Sequence, residues 1–308
     1  MTRTERKPVS TSSRTDTSGF DIMRWPGRSA TTLRRLYGID RPKAIEFLDR
    51  DPVNSVLARA NLDNAGIGAM SALGLFDNPR HSISALSWDS GNVIPLGFDD
   101  FGLDLLADSL LSRSRVCSSL VGPAQQVLGL WERLEPEWGP ARDVRARQYS
   151  MVIEEPSLVE PDPLVRRATT SELSLVFPAS VAMFTEEVGY DPTLYGSSYR
   201  RRAEDLVSNG LTFIKLGPDP DGVHERVIFK ADVGALAGGV AQVQGVWTAP
   251  DLRGQGLATH AMAAVVAQIL ATLAPTVSLY VNDFNTAAVA VYRKVGFKAV
   301  EDWATILL

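Results

Sequence analysis

The chain has 308 residues, 45% hydrophobic and 22% charged, values of an ordinary globular protein able to bury a core without staples. Its net charge of −5 argues against a general nucleic-acid binder, which needs a basic face to neutralise phosphates. The single cysteine, Cys117, excludes an internal disulfide, the three histidines lack zinc-site spacing, and no segment reaches the ~20 apolar residues that span a bilayer.

Residues 1–30 are rich in Ser, Thr, Arg and Asp and predict a disordered tail. No apolar run follows Arg3, Arg6 and Lys7, so no secretory signal is expected and the cytoplasm is the default. Order is expected from about Thr32. Pro42–Arg50 and Ser55–Leu62 read as helices. His81–Trp88 alternates with period two and pairs through the turn Asp89–Asn92 with Val93–Leu96. A helix at 103–111, a strand at Val116–Val121, a helix at Pro123–Leu134 and a strand at Tyr149–Ile153 follow. Cys117 reads as an inert core thiol. Residues 154–163 hold three prolines and four acids and read as a linker. The expected units are therefore 31–153 and 164–308.

In the second unit Leu164–Ala168 reads as a strand. Thr169-Thr-Ser-Glu172 matches a capping box that opens a helix over Leu173–Met183. A helix at Tyr199–Ser208 and strands at 211–216, 227–231 and 239–248 come next. The loop 250–256 leads into a helix at Leu257–Leu273, a strand at 277–281, a helix at 285–294 and closing strands over 296–308.

The chemistry concentrates in Val246-Trp-Thr-Ala-Pro-Asp-Leu-Arg-Gly-Gln-Gly-Leu-Ala258. A strand runs into a turn, and the turn into a helix. Gly254 and Gly256 allow a tight turn and close backbone approach. The helix start adds unpaired N–H donors and a partial positive charge, an anion site fitted to a pyrophosphate. Arg253 adds a full charge, and Ala258 is small where the first helical turn would meet a ligand. A second segment, Leu279-Tyr-Val-Asn-Asp-Phe-Asn-Thr-Ala-Ala-Val-Ala-Val-Tyr-Arg-Lys-Val-Gly-Phe297, follows at a fitting distance.

These two segments resemble motifs A and B of the GNAT superfamily of acyl-CoA-dependent N-acyltransferases, over residues 165–308. The resemblance implies that Arg253, Gly254, Gln255, Gly256, Leu257 and Ala258 hold the pyrophosphate of coenzyme A. It implies that Val246 and Thr248 offer main-chain groups to the pantetheine arm, and that an N–H near Val246 or Trp247 polarises the thioester carbonyl. Asn285 would contact the cofactor arm, and Tyr292 would protonate the departing thiolate. The motifs do not identify a general base. Glu186 and Glu187, read as following the first helix, are candidates, with Asp232 weaker. Arg200-Arg-Arg202 could bind an acidic acceptor or simply be a solvated face.

No Arg-x-x-Gly-x-Ala loop precedes residue 150; its nearest relic is Leu120–Ala124. The architecture resembles tandem-GNAT proteins such as mycothiol synthase. It also resembles an actinobacterial family that joins a domain of unknown function to a C-terminal GNAT domain. The fold class implied is α+β: a mixed, mostly antiparallel central sheet flanked by helices, with two GNAT-like domains in tandem and the first degenerate. The function implied is transfer of an acetyl group from acetyl-CoA to an amine of a small molecule or protein, by a monomer or homodimer. The alternative is an acyl-CoA-binding sensor without turnover.

Overall fold

The computed structural model describes residues 31–64, 71–77 and 82–308. The expected tail at 1–30 and His81 lie outside the described residues. The first half contains β1 (Thr32–Arg35), α1 (Arg41–Leu48), α2 (Pro52–Asn64), β2 (Ala72–Phe76), β3 (Ile83–Ser90), β4 (Asn92–Leu96), α3 (Asp100–Leu111), β5 (Ser119–Pro123), α4 (Ala124–Trp138) and β6 (Asp143–Ile153). The second contains β7 (Arg166–Arg167), α5 (Leu173–Val188), α6 (Ser198–Ser208), β8 (Thr212–Pro218), β9 (Glu225–Ala237), β10 (Val240–Thr248), α7 (Leu257–Thr272), β11 (Thr276–Asn282), α8 (Thr286–Val295) and β12 (Lys298–Leu307).

The strands form one sheet in the order β1-β2-β3-β4-β5-β12-β6-β11-β10-β9-β8-β7. Two adjacent pairs are parallel, β4 with β5 and β10 with β11; the other registered pairs are antiparallel. This is the expected mixed, mostly antiparallel sheet flanked by helices.

The middle of the sheet is an exchange. The first half's last strand, β6, pairs with β11 of the second, from Val277 opposite Ile153 to Asn282 opposite Gln148. The second half's last strand, β12, pairs with β5 of the first, from Trp303 opposite Pro123 to Leu307 opposite Ser119. β6 and β12 then pair with each other. Each half's core thereby takes in a strand of the other half. Met151 and Ile153 of β6 pack with α7 and α8, while Ala304 and Ile306 of β12 pack with α3 and α4. Residues 154–163 are tied down as they cross: Leu158 N–H donates to Val295 O, and Lys215 bonds the Asp162 carboxylate.

Several sequence expectations shift. The helix expected to stop at Met183 runs to Val188, because the left-handed stop is Gly189, at φ +87°. Glu186 and Glu187 therefore sit in its last turn, not in a loop. Cys117 is buried but precedes the strand, which starts at Ser119. Burial, with the Asp89 charge second, pushes its thiol up. Pro123 is the N-cap of α4 rather than part of its first turn, and it still belongs to β5. The capping box forms as read: Thr169 N–H and Oγ1 both donate to Glu172 Oε2. β1 and β2 gave no signal in the sequence reading.

Candidate active site

The two parallel pairs locate equivalent places in the two halves. Between β10 and β11 stand the glycine loop and α7. Between β4 and β5 stand Gly97–Asp99 and α3. The first-half counterpart of the glycine loop is therefore Gly97–Asp99, and the relic proposed at Leu120–Ala124 is in the wrong connection. There the Asp99 side chain accepts from Gly102 N at 2.8 Å and caps α3. A carboxylate already occupies that helix start, so an anion is repelled from it.

In the second half the helix start is open. Gly254 has φ +75° and Gly256, the N-cap of α7, has φ +83°. A Cβ added at either would meet nothing within 4 Å. The loop's N–H groups from Gly254 to Ala258 make no backbone bond among the described residues, whereas Thr259 N already bonds Gly256 O. This donor set fits a pyrophosphate.

Above the loop, β10 and β11 part company. Their parallel pairing covers Val240–Gln242 against Thr276–Ser278 and then stops. β11 continues to Asn282 along β6, while β10 continues to Thr248 along β9. The burial of β10 changes at the same point, from buried through Val243 to half-buried from Gln244 to Thr248. The ladder with β9 is bulged here: Gln244 faces Asp232 and Trp247 faces Lys230, so Gly245 and Val246 share one place. Above the loop, the side of β10 that faces β11 is therefore no longer paired with it.

The candidate side chains fall into two groups. Glu186 accepts from Trp247 Nε1 at 3.1 Å and from Arg253 Nη2 at 2.7 Å. Arg253 Nε also donates to Thr248 O at 2.9 Å. Gln255 reaches back to Asp251 O and steadies the turn. Glu187 forms the second group with Arg145 of β6, which bonds its carboxylate and also donates to its backbone O at 2.7 Å. Two acids in the last turn oppose the helix dipole, and the two arginines offset this.

Tyr292 of α8 is 7% exposed and stacks edge-on against Phe297. Burial first, and the Glu187 charge second, raise its phenol above the ordinary value. Its proton is therefore held at neutral pH. Tyr280 of β11 is raised by burial and by the same Glu187, with Arg145 and Arg202 opposing. Asn285 stands apart. Its side-chain oxygen accepts from Ala288 N at 3.2 Å and caps α8. Arg200 pairs with Glu204, and Arg202 donates to Gly234 O.

Sequence reasoning missed three parts of the site. Arg145 lies 42 residues before Glu187 in the chain, and nothing local linked them. A buried row runs across the exchanged strands, with Thr305 Oγ1 donating to Gln148 Oε1 at 2.6 Å and Gln148 Nε2 to Asn282 Oδ1 at 2.8 Å. Lys230, missed as well, forms a buried ion pair with the candidate base Asp232 beside the bulge. Its signal was present: Lys230 and Asp232, at i and i+2 in the apolar stretch of β9 after Arg226, share one face.

Residues 213–297 match the acetyltransferase (GNAT) family, and residues 71–176 match a domain of unknown function, DUF4081. The peptidyl-lysine N-acetyltransferase YjaB of Salmonella typhimurium is 31% identical over 122 residues, covering 38% of this chain and 74% of that protein. A GNAT-family acetyltransferase from Colwellia psychrerythraea shares the fold with a TM-score of 0.51 at 10% identity, over 91% of this chain and 99% of that one. A tandem GNAT protein from the clavulanic acid biosynthesis pathway does so with a TM-score of 0.50 at 12% identity, over 90% and 97%. The chain belongs to the GNAT family of acetyltransferases. No helix among the described residues is long and apolar enough to cross a membrane.

Proposed function

We propose that the protein transfers an acetyl group from acetyl-CoA directly to an amine of a small molecule or protein. The observation that carries this is the open cradle at Gly254–Ala258 under the splayed β10. When bound, acetyl-CoA supplies an activated thioester. Arg253 and the loop amides hold the pyrophosphate. Val246 and Trp247 border the gap where the thioester carbonyl would be polarised. Tyr292 keeps its proton and can give it to the departing sulfur. Glu187 lies near enough to Tyr292 for its charge to be felt there, which suits an acid and a base serving one reaction.

The same reading treats 31–153 and 164–308 as two GNAT-like units. Asp99 closes the first to phosphate. The first unit instead supplies Arg145 and Gln148 to the seam, so the acceptor is chosen where both meet.

Calorimetry with acetyl-CoA and coenzyme A, followed by a thiol-release screen over amines, tests the proposal. Binding at one site per chain with thiol release on an amine is expected. Absence of binding would overturn it. The alternative, an acyl-CoA sensor, is favoured by one observation: Glu186, Glu187 and Asp232 are each ion-paired, so no candidate base stands alone. Tight binding with no thiol release on any amine would select the sensor.

A further inference from the structure

Lys230 is 1% exposed, a rare state for an ammonium. It donates to the Asp232 carboxylate and, at 3.4 Å, to Gly245 O. The other Asp232 oxygen accepts from Thr212 Oγ1 at 2.8 Å. Thr212 is 1% and Asp232 6% exposed, so the bonds among these three side chains are buried. A hydrophobic pair of similar size would be about as stable in such a place, or more so. Stability alone therefore does not explain why these groups are here.

Their target is one peptide unit. Gly245 has φ +58°, and an added Cβ would lie 3.0 Å from Met183 Cε, 3.1 Å from Asp232 Oδ2 and 3.3 Å from Lys230 Nζ. A side chain here would be strained by the positive φ and tight against these three groups. Gly245 C=O and Val246 N–H belong to the same peptide plane, and in a trans peptide they point in opposite directions. A cation on the carbonyl fixes the plane. It also polarises the amide, so the N–H on the far side becomes a stronger donor.

We propose that Lys230 is a positioning residue for acyl transfer. Held by Asp232 and Thr212, it locks and polarises the Gly245–Val246 peptide so that Val246 N–H is aimed at the thioester carbonyl. The proposal rests on the acyl-transfer reading above. Lys230 does not touch the reacting atoms; it acts through the bulge.

The test needs no acceptor. Acetyl-CoA labelled with ¹³C at the carbonyl is bound to the full chain, and the carbonyl stretch is read by isotope-difference infrared spectroscopy. In the wild type the bound band is expected at lower wavenumber than in water. Lys230→Met combined with Asp232→Asn removes the donor without leaving a bare buried charge. This pair of substitutions should lose most of the shift, while the acetyl-CoA Kd changes less than about threefold because the phosphate loop is untouched. Thr212→Val removes only the far bond, and a partial loss is expected. It serves if the double variant does not fold. Any variant that folds, binds acetyl-CoA and keeps the wild-type band overturns the proposal. A wild type that does not bind, or binds with an unshifted band, overturns the thioester-site reading itself.

Discussion

Arg253 donates to the Glu186 carboxylate at 2.7 Å, across the edge of the glycine loop. The residue expected to meet the pyrophosphate is thus held by an acid of α5. Both side chains are nearly half exposed, so the pair is worth at most about 1 kcal/mol. Glu186→Gln should free the guanidinium and tighten coenzyme A binding by up to about fivefold. Arg253→Ala should weaken it by about tenfold. Titration calorimetry at low salt reads both, and a weaker Glu186→Gln complex would show that the carboxylate aids binding.

Tyr292→Phe should lower turnover by ~100-fold with little change in coenzyme A affinity. The phenol is raised above its ordinary value of 10.0. Its ionisation should therefore cause no loss of rate up to about pH 10. Equal losses in turnover and binding would contradict the acid role, as would a rate that falls with phenol ionisation near neutrality.

The capping box before α5 should be visible in acid. Chiefly through the Arg166 hydrogen bond, the Glu172 pKa is lowered from 4.5 to about 2. A carboxylate depressed in the folded state adds stability that is complete above its unfolded pKa. That stability is lost as pH falls from about 4.5 towards 2. Glu172→Gln should lower stability at pH 7 by about 1 kcal/mol and flatten the dependence in that window. Urea titrations at several pH values check this; parallel profiles for wild type and variant would refute it.

Arg145 and Glu187 join the two halves of the chain. A double-mutant cycle with Arg145→Met and Glu187→Gln should give a coupling of about 1 kcal/mol in unfolding. Coenzyme A affinity should stay unchanged, because neither residue touches the loop. Additive effects in the cycle would mean that the contact carries no stability.

The sequence revealed what is local. Gly254 and Gly256 announced the tight turn before α7, because glycine is the residue that adopts positive φ without strain. The capping box at Thr169–Glu172 was equally plain. What stayed hidden was non-local. No pattern around Asp143–Ile153 says that this strand inserts beside β11. The role of Asp99 needed the parallel β4–β5 pair before Gly97–Asp99 could be matched to the glycine loop. Glu186 and Glu187 sit in the last turn of α5 rather than after it, because the helix continues past Met183 until Gly189 sets the stop.

The strand exchange has a consequence for synthesis. Ser119 meets its partner Leu307 only after nearly 190 further residues have been made. Until then the edge of β5 that takes β12 is bare, and β6 lacks both its neighbours, β12 and β11. The first half cannot finish folding as it leaves the ribosome. Closure of the sheet is a late, long-range step, slowed by the loop that must be closed. During that interval the open β5 edge is where a holdase chaperone would be needed, and where two nascent chains could trade strands.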